Sequence, residues 1–582
     1  MTTNSQAQNS ANIQFEVSFT EPQAHYADVK MIINNIKKDD ITVKMPVWAP
    51  GSYLVREFSK NVESFEVTTP SNTPVAFEKV RKNAWKINTK GKSSVVIYYR
   101  VYAFEISVRT SFIDASHTFL SSSGIFMYPD GGIAEPSIVT IIPHKNWSKV
   151  STGLEPVEGK PFTYYAKNFD WLFDSPIEVG NQDVFEFNAA GVRHEVAMVG
   201  GGNYNKEQLK ADMAKIVEKE TEIYGENPNK HYVFIVHNYL AGGGGLEHQN
   251  STVLGAKRMG YDDPKTYKGF LSLVAHEYFH LWNVKRLRPI ALGPFDYDNE
   301  NYTTNLWIAE GFTAYYDNLI VQRTGAYTPD EFLGFLEADI NAIYNQPGNK
   351  IQPVSQASFD AWIKYYRPNE NSSNTGISYY NKGSLIASML DLAIINHSKG
   401  TKSLDDAMKY AYNEFYKKKG RGYTDAEFKA VFEKFTGENL DQFYKDYING
   451  TETLDFQKYL SYAGLKLSDK TRNLKEPYLG VVLSKDGKSI ITNVARGSAA
   501  WNDGLNVNDE ILAINGERVT DVLDYISDCK INEELSFLIN RDGLIKTIKV
   551  TLKASPNKVW RIEQLDKPTA AQKVVLEKWL SL

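Results

Sequence analysis

His276-Glu277-Tyr278-Phe279-His280 is the stretch of this sequence best suited to chemistry. Asp263 and Pro264 read as an N-cap and first-turn pair, which predicts a helix from there through about Trp282. Two histidines four residues apart then lie one turn apart on one face. Both imidazoles can reach one ion, at about 2.0–2.1 Å for zinc. Glu277 stands beside the first of them, where it can act as a general base on water. The pattern arises by chance in roughly one such chain in a hundred, so a third ligand is needed to give it weight. The single cysteine, Cys529, excludes a zinc site with two thiolates, so that ligand must be His, Asp or Glu.

Glu310 meets the need. It follows His280 after 29 intervening residues, in a second helical stretch from Leu306 to Thr313 that Thr303 or Thr304 could cap. Leu306, Trp307, Ile308 and Phe312 make an exposed position for this turn improbable, so Glu310 is a carboxylate in an apolar setting. Two histidines and one glutamate leave a fourth position for water, the pattern of a catalytic zinc. Asp317, seven residues after Glu310 on the same helix face, is placed to orient a ligand histidine.

Two further runs bear on substrate. Gly242 to Gly245 allow a peptide backbone close to an edge strand, and Glu247 follows with a carboxylate. Tyr379-Tyr380-Asn381-Lys382-Gly383 offers a phenol to a tetrahedral intermediate.

The elements that must position these residues fall into blocks. Residues 1–12 form a polar tail without an apolar signal core. This leaves the compartment open between cytoplasm and periplasm. Residues 13–182 read as a β domain: Ile13, Phe15, Val17 and Phe19 alternate with polar neighbours, and Val95 to Tyr99 is β-branched and aromatic. Residues 183–325 are mixed, with a strand at Tyr232 to Val236, and 326–475 are helical, with capping boxes at Thr328–Glu331 and Thr424–Glu427. Residues 476–555 return to β, and 556–582 form a tail whose Ala571 to Leu580 read as a helix. Lys+Arg is 65 and Asp+Glu is 70, a net charge of −5, which carries no electrostatic footprint for nucleic acid. No run of 18 apolar residues suggests a membrane span.

His276-Glu277-x-x-His280 with Glu310-Gly311-Phe312-Thr313 resembles a gluzincin metallopeptidase. More closely, the chain resembles the glycyl aminopeptidase family. The resemblance is carried by Trp48-Ala49-Pro50-Gly51-Ser52-Tyr53, Gly242 to His248, His280 to Arg286, and Leu306 to Gly311, and it spans nearly the whole chain. It implies a multidomain α+β protein: a β-sandwich-like N-terminal domain, a thermolysin-like zinc domain, a helical region and a PDZ domain. It implies one zinc per chain on His276, His280 and Glu310, with Glu277 as base. In related aminopeptidases the glutamate of a Gly-x-Met-Glu-Asn motif binds the free α-amine, and Glu247 occupies that slot beside Gly243, Gly244 and Gly245. Leu246 and His248 depart from the motif, which leaves the role of His248 open. A tyrosine two residues before Lys-Gly donates to the oxyanion in those enzymes; Tyr380 matches, with Tyr379 as its rival. Leu479-Gly480-Val481 resembles a PDZ carboxylate loop, serving either a C-terminal peptide ligand or a scaffold. The expected activity is removal of small N-terminal residues, Gly or Ala, from peptides with a free N-terminus. The alternatives are a zinc endopeptidase, or a PDZ-based peptide-binding protein with a structural zinc site.

Overall fold

Strict alternation makes the first strand. In Ile13–Ser18 the residues Ile13, Phe15 and Val17 are buried and their neighbours only half so. The strand pairs antiparallel with Tyr26–Asn34 and parallel with Ser137–Ile142, setting Phe15 opposite Met31 and Val139. These belong to a seven-stranded sheet that also holds Ser94–Tyr102. Two four-stranded sheets complete the N-terminal β domain, and one core of Phe15, Trp85, Phe126, Trp147 and Phe169 serves it.

The structure is a computed structural model that describes residues 11–471 and 476–582. The expected polar tail, apart from Ala11 and Asn12, lies outside the described residues, as does the junction at 472–475. The chain divides into two compact units. The first holds residues up to 302 with 316–327 and 408–423; the second holds 303–315, 328–407 and 424–582.

In the first unit a five-stranded sheet follows the β domain, in the order Asp183–Ala189, Val192–Val199, His231–Tyr239, Ser251–Lys257, Gly245–Glu247. Gly245–Glu247 is the edge, antiparallel to Ser251–Lys257, with Glu247 opposite Thr252. Helix Pro264–Phe279 packs on this edge. Asp263 caps it, accepting from Thr266 N at 2.8 Å. The helix stops at Phe279, three residues before the expected end, and His280 is its C-cap. Beyond it the chain turns tightly, with Lys285 N donating to His280 O and Leu287 N to Trp282 O. The buried Leu281 and Trp282 draw it inward there.

In the second unit, helix Leu306–Ala309 leads through Glu310 into Gly311–Arg323, whose last turns lie in the first unit. Glu310 stays within the ladder: its N donates to Leu306 O and its O accepts from Ala314 N. The N-cap is Asn305, not Thr303 or Thr304. Thr303 Oγ instead accepts from Asn305 N, and Thr304 donates to Asp425. Gly311 crosses Gly383 of helix Tyr379–His397 so closely that a Cβ there would overlap the Gly383 backbone. Both expected capping boxes form, and Ala570–Leu580 is helical. The PDZ domain closes its own core on Leu479, Ile491, Ile514, Phe537 and Val550. There Asp509, fully buried, accepts from Arg541 through both oxygens at 2.7 and 2.8 Å.

Candidate active site

The metal-binding residue types sit where helix geometry puts them. His276 and His280 stand one above the other, ring centroids 4.8 Å apart. Each is oriented through Nδ1: that of His276 lies 3.0 Å from Asp317 Oδ2, and that of His280 lies 2.9 Å from Asn283 O. Fixing one ring nitrogen turns the other toward a ligand. Burial pushes the Asp317 carboxyl up, against the opposing pull of His276. Glu277, His280 and Glu247 are all buried, and their donor atoms lie within 4.8 Å of one another. The candidates for base, metal ligand and amine anchor are therefore neighbours within one unit.

Glycines make the room. A Cβ on Gly245 would overlap the Glu277 carboxylate, and one on Gly51, at φ +85°, would overlap that of Glu247. The first explains why the edge strand opens on glycine. The second shows that Trp48 to Tyr53, from the N-terminal β domain, lies directly on the candidate anchor. Gly243 and Gly244 precede the edge strand without comparable crowding, Gly244 at φ +76°.

Glu247 does not stand alone. Lys285 Nζ lies 3.9 Å from its Oε1 and donates to Asp174 Oδ1 at 2.8 Å. His248 Nδ1 lies 3.0 Å from the same Asp174 oxygen. All four residues are buried. Burial pushes the Asp174 carboxyl up, but Lys285 and His248 outweigh it and hold Asp174 below its ordinary value. Burial pulls the Lys285 ammonium down, and Asp174 and Glu247 more than restore it. Lys285 donates to Asp174 rather than to Glu247, and Glu247 Oε1 accepts no hydrogen bond from the described residues. His248, whose role the sequence leaves open, stands against Asp174.

In the second unit, Glu310 is 2% exposed. Burial and the nearby Glu310 charge push the Tyr380 phenol well above its ordinary range. Tyr379 is fully buried and stacks on Tyr380, centroids 4.8 Å apart. In the PDZ domain Leu479 is buried, Gly480 has φ +82°, and Val481 opens strand Val481–Leu483, which pairs only with Ile491–Val494 among the described residues.

Asp174, Lys285 and Gly51 were given no role from sequence. Lys285 and Gly51 lie inside the runs that carry the family resemblance; nothing local marks Asp174.

The fold is that of a metallo-aminopeptidase. The Peptidase M61 N-terminal domain matches residues 14–181, the M61 glycyl aminopeptidase domain 269–386, and a PDZ domain 477–552. The chain thus carries the domains of the M61 glycyl aminopeptidase family followed by a PDZ domain. No curated protein matches it in sequence. Among solved structures it is similar to an aminopeptidase N family protein from Idiomarina loihiensis, at 27% identity and TM-score 0.90, covering 98% of this chain and 100% of that one. An M1 zinc metallopeptidase mutant from Deinococcus radiodurans, bound to a Tyr-Ser-Ala substrate, aligns at 11% identity and TM-score 0.48 over 76% of this chain and 94% of that one. Among the described residues no helix is long and apolar enough to cross a membrane.

Proposed function

We propose that the chain is a zinc aminopeptidase that removes a small first residue, Gly or Ala, from peptides with a free N-terminus. His276, His280 and Glu310 are the donor set for one ion per chain, of the types and number a catalytic zinc takes. Helix continuity supports the third member: Glu310 lies two turns before Asp317, which orients His276. A zinc ion held by these residues would supply a Lewis acid for the scissile carbonyl and for a water molecule. Glu277 accepts the proton of the attacking water and passes it to the leaving amine. Tyr380 donates to the developing oxyanion; burial and Glu310 keep its phenol protonated for that task. Glu247 takes the substrate ammonium.

The observation that carries this assignment is the buried carboxylate of Glu247 beside Glu277 and His280, with one oxygen that no described residue hydrogen-bonds. A buried charge needs a partner, and an α-ammonium supplies one. Preference for a small first residue follows from the family likeness and from Gly51 and Gly245 pressing on the two carboxylates. The test is Glu277→Gln, with metal analysis on the same protein. Zinc should stay near one equivalent while kcat falls about 10²–10⁴-fold. Full turnover with Gln at 277 would remove the general base from this scheme.

A further inference from the structure

The second unit contains a cavity of about 520 Å³, within the range of small-ligand pockets at about 300–1,000 Å³. It is formed by the segment 363–378, which leads into helix Tyr379–His397. Its Tyr365 wall stacks against both candidate oxyanion tyrosines, with centroids 4.8 Å from Tyr379 and 5.5 Å from Tyr380. The cavity therefore lies one ring away from Tyr380, the proposed oxyanion donor.

Its charge is one-sided. Lys364 and Arg367 line it, and none of the described lining residues is acidic. Lys364 is occupied by Asp360 at 3.1 Å. Arg367 is exposed, and no carboxylate among the described residues pairs with it. Gln352, Asn371 and Ser372 add hydrogen-bonding groups to the wall. The wall is also braced from behind: Asn374 Nδ2 donates to Val494 O, and Arg496 N donates to Asn374 Oδ1, both at 2.8 Å, fastening the loop to the PDZ domain. A guanidinium with a free fork, in a braced cavity lacking anions, fits a carboxylate in two parallel hydrogen bonds.

We propose that this cavity binds the C-terminal carboxylate of a short peptide, so that the enzyme prefers substrates of two to four residues whose chain ends there. The proposal rests on the aminopeptidase assignment and adds the substrate class to it. Arg367 is a specificity residue with no part in the bond-breaking step.

The test compares Ala-Gly-Gly with its C-terminal amide and with alanyl-p-nitroanilide, which has no carboxylate. The parent should favour the free acid over the amide by about 10–100-fold in kcat/KM, mainly through KM. In Arg367→Met that ratio should fall to within about threefold of one, by loss on the free acid, while Arg367→Lys keeps an intermediate ratio. Equal rates on acid and amide in the parent, or an equal loss on both in Arg367→Met, would overturn the proposal. Should the parent cleave none of the three, the aminopeptidase assignment fails on its own. Calorimetric titration with Ala-Gly-Gly whose first peptide bond is reduced to an amine then decides the cavity separately: tighter binding of acid than amide, lost in Arg367→Met, supports it, and equal binding overturns it.

Discussion

Glu178 and Glu247 are buried glutamates of the same unit, and their surroundings treat the same carboxylate in opposite ways. Glu178 lies 2.7 Å from His117 Nδ1 through one oxygen and 2.9 Å from His237 Nε2 through the other. It closes a clamp between the β domain and the five-stranded sheet. Burial pushes its carboxyl up, yet the two histidines hold it below its ordinary value. Glu247 has a lysine at 3.9 Å that is already committed to Asp174, and an oxygen with no hydrogen bond from the described residues. Both carboxylates are taken out of water; among the described residues only Glu178 has a partner on each oxygen. A carboxylate satisfied on both oxygens has no capacity for a ligand. One left short is a binding site for whatever supplies the missing charge.

The largest change should come from Lys285→Met, which leaves Asp174 and Glu247 buried with no lysine between them. Breaking such a pair typically costs about 3–5 kcal/mol, measurable by urea unfolding. The double variant Asp174→Asn/Lys285→Met should recover part of the loss, because no buried charge is then stranded. If the single variant is as stable as the parent, Lys285 does not balance this cluster.

Gly51→Ala should act next. A side chain at φ +85° meets the Glu247 carboxylate and costs about 1–3 kcal/mol of backbone strain. Turnover of free-amine substrates should fall with it, whereas Gly131→Ala, at a positive φ with open space around it, should leave turnover alone. Equal kinetics for both variants would separate the Trp48–Tyr53 segment from substrate binding.

The smallest effect is in pH. Burial pulls the His117 imidazole down, but Glu178 and Asp114 raise it above its ordinary value overall. A raised imidazole contributes stability that is complete below its unfolded pKa of about 6.5 and is lost as pH rises through the folded value. The depressed Glu178 contributes above its unfolded value and is lost as pH falls through its folded one. The clamp is therefore strongest in mildly acid to neutral solution. Stability should decline as pH rises beyond neutral, and Glu178→Gln should flatten that slope. An unchanged slope in Glu178→Gln would assign it to other groups.

The metal-binding pattern and the domain order were legible in the sequence because both depend on short-range regularities. A four-residue spacing on a helix, a capping box and a period of two are local, and they set His276, His280 and the strand Ile13–Ser18. The surroundings of Glu247 were not legible, because Asp174 and Gly51 come to it from a helix end and a turn of another domain, 73 and 196 residues away in the chain. Helix ends were misjudged by a few residues for a related reason. At His280 the helix yields to burial of Leu281 and Trp282, and at Asn305 the cap is chosen by contacts of Thr303 and Thr304 rather than by residue type.

The central claim is that Glu247 receives the substrate's free amine, and it is tested most directly by one comparison. A small peptide beginning with Gly or Ala and its N-acetylated twin are given to the parent and to Glu247→Ala, with zinc measured in both. Losing one partner of a buried charge pair typically costs about 2–5 kcal/mol, or roughly 30- to several-thousand-fold in kcat/KM. The free-amine peptide should lose that much in Glu247→Ala with zinc unchanged, and the acetylated twin should be poor for both proteins. Equal cleavage of the two peptides by the parent, with both rates intact in Glu247→Ala, would contradict the claim and leave an endopeptidase in its place.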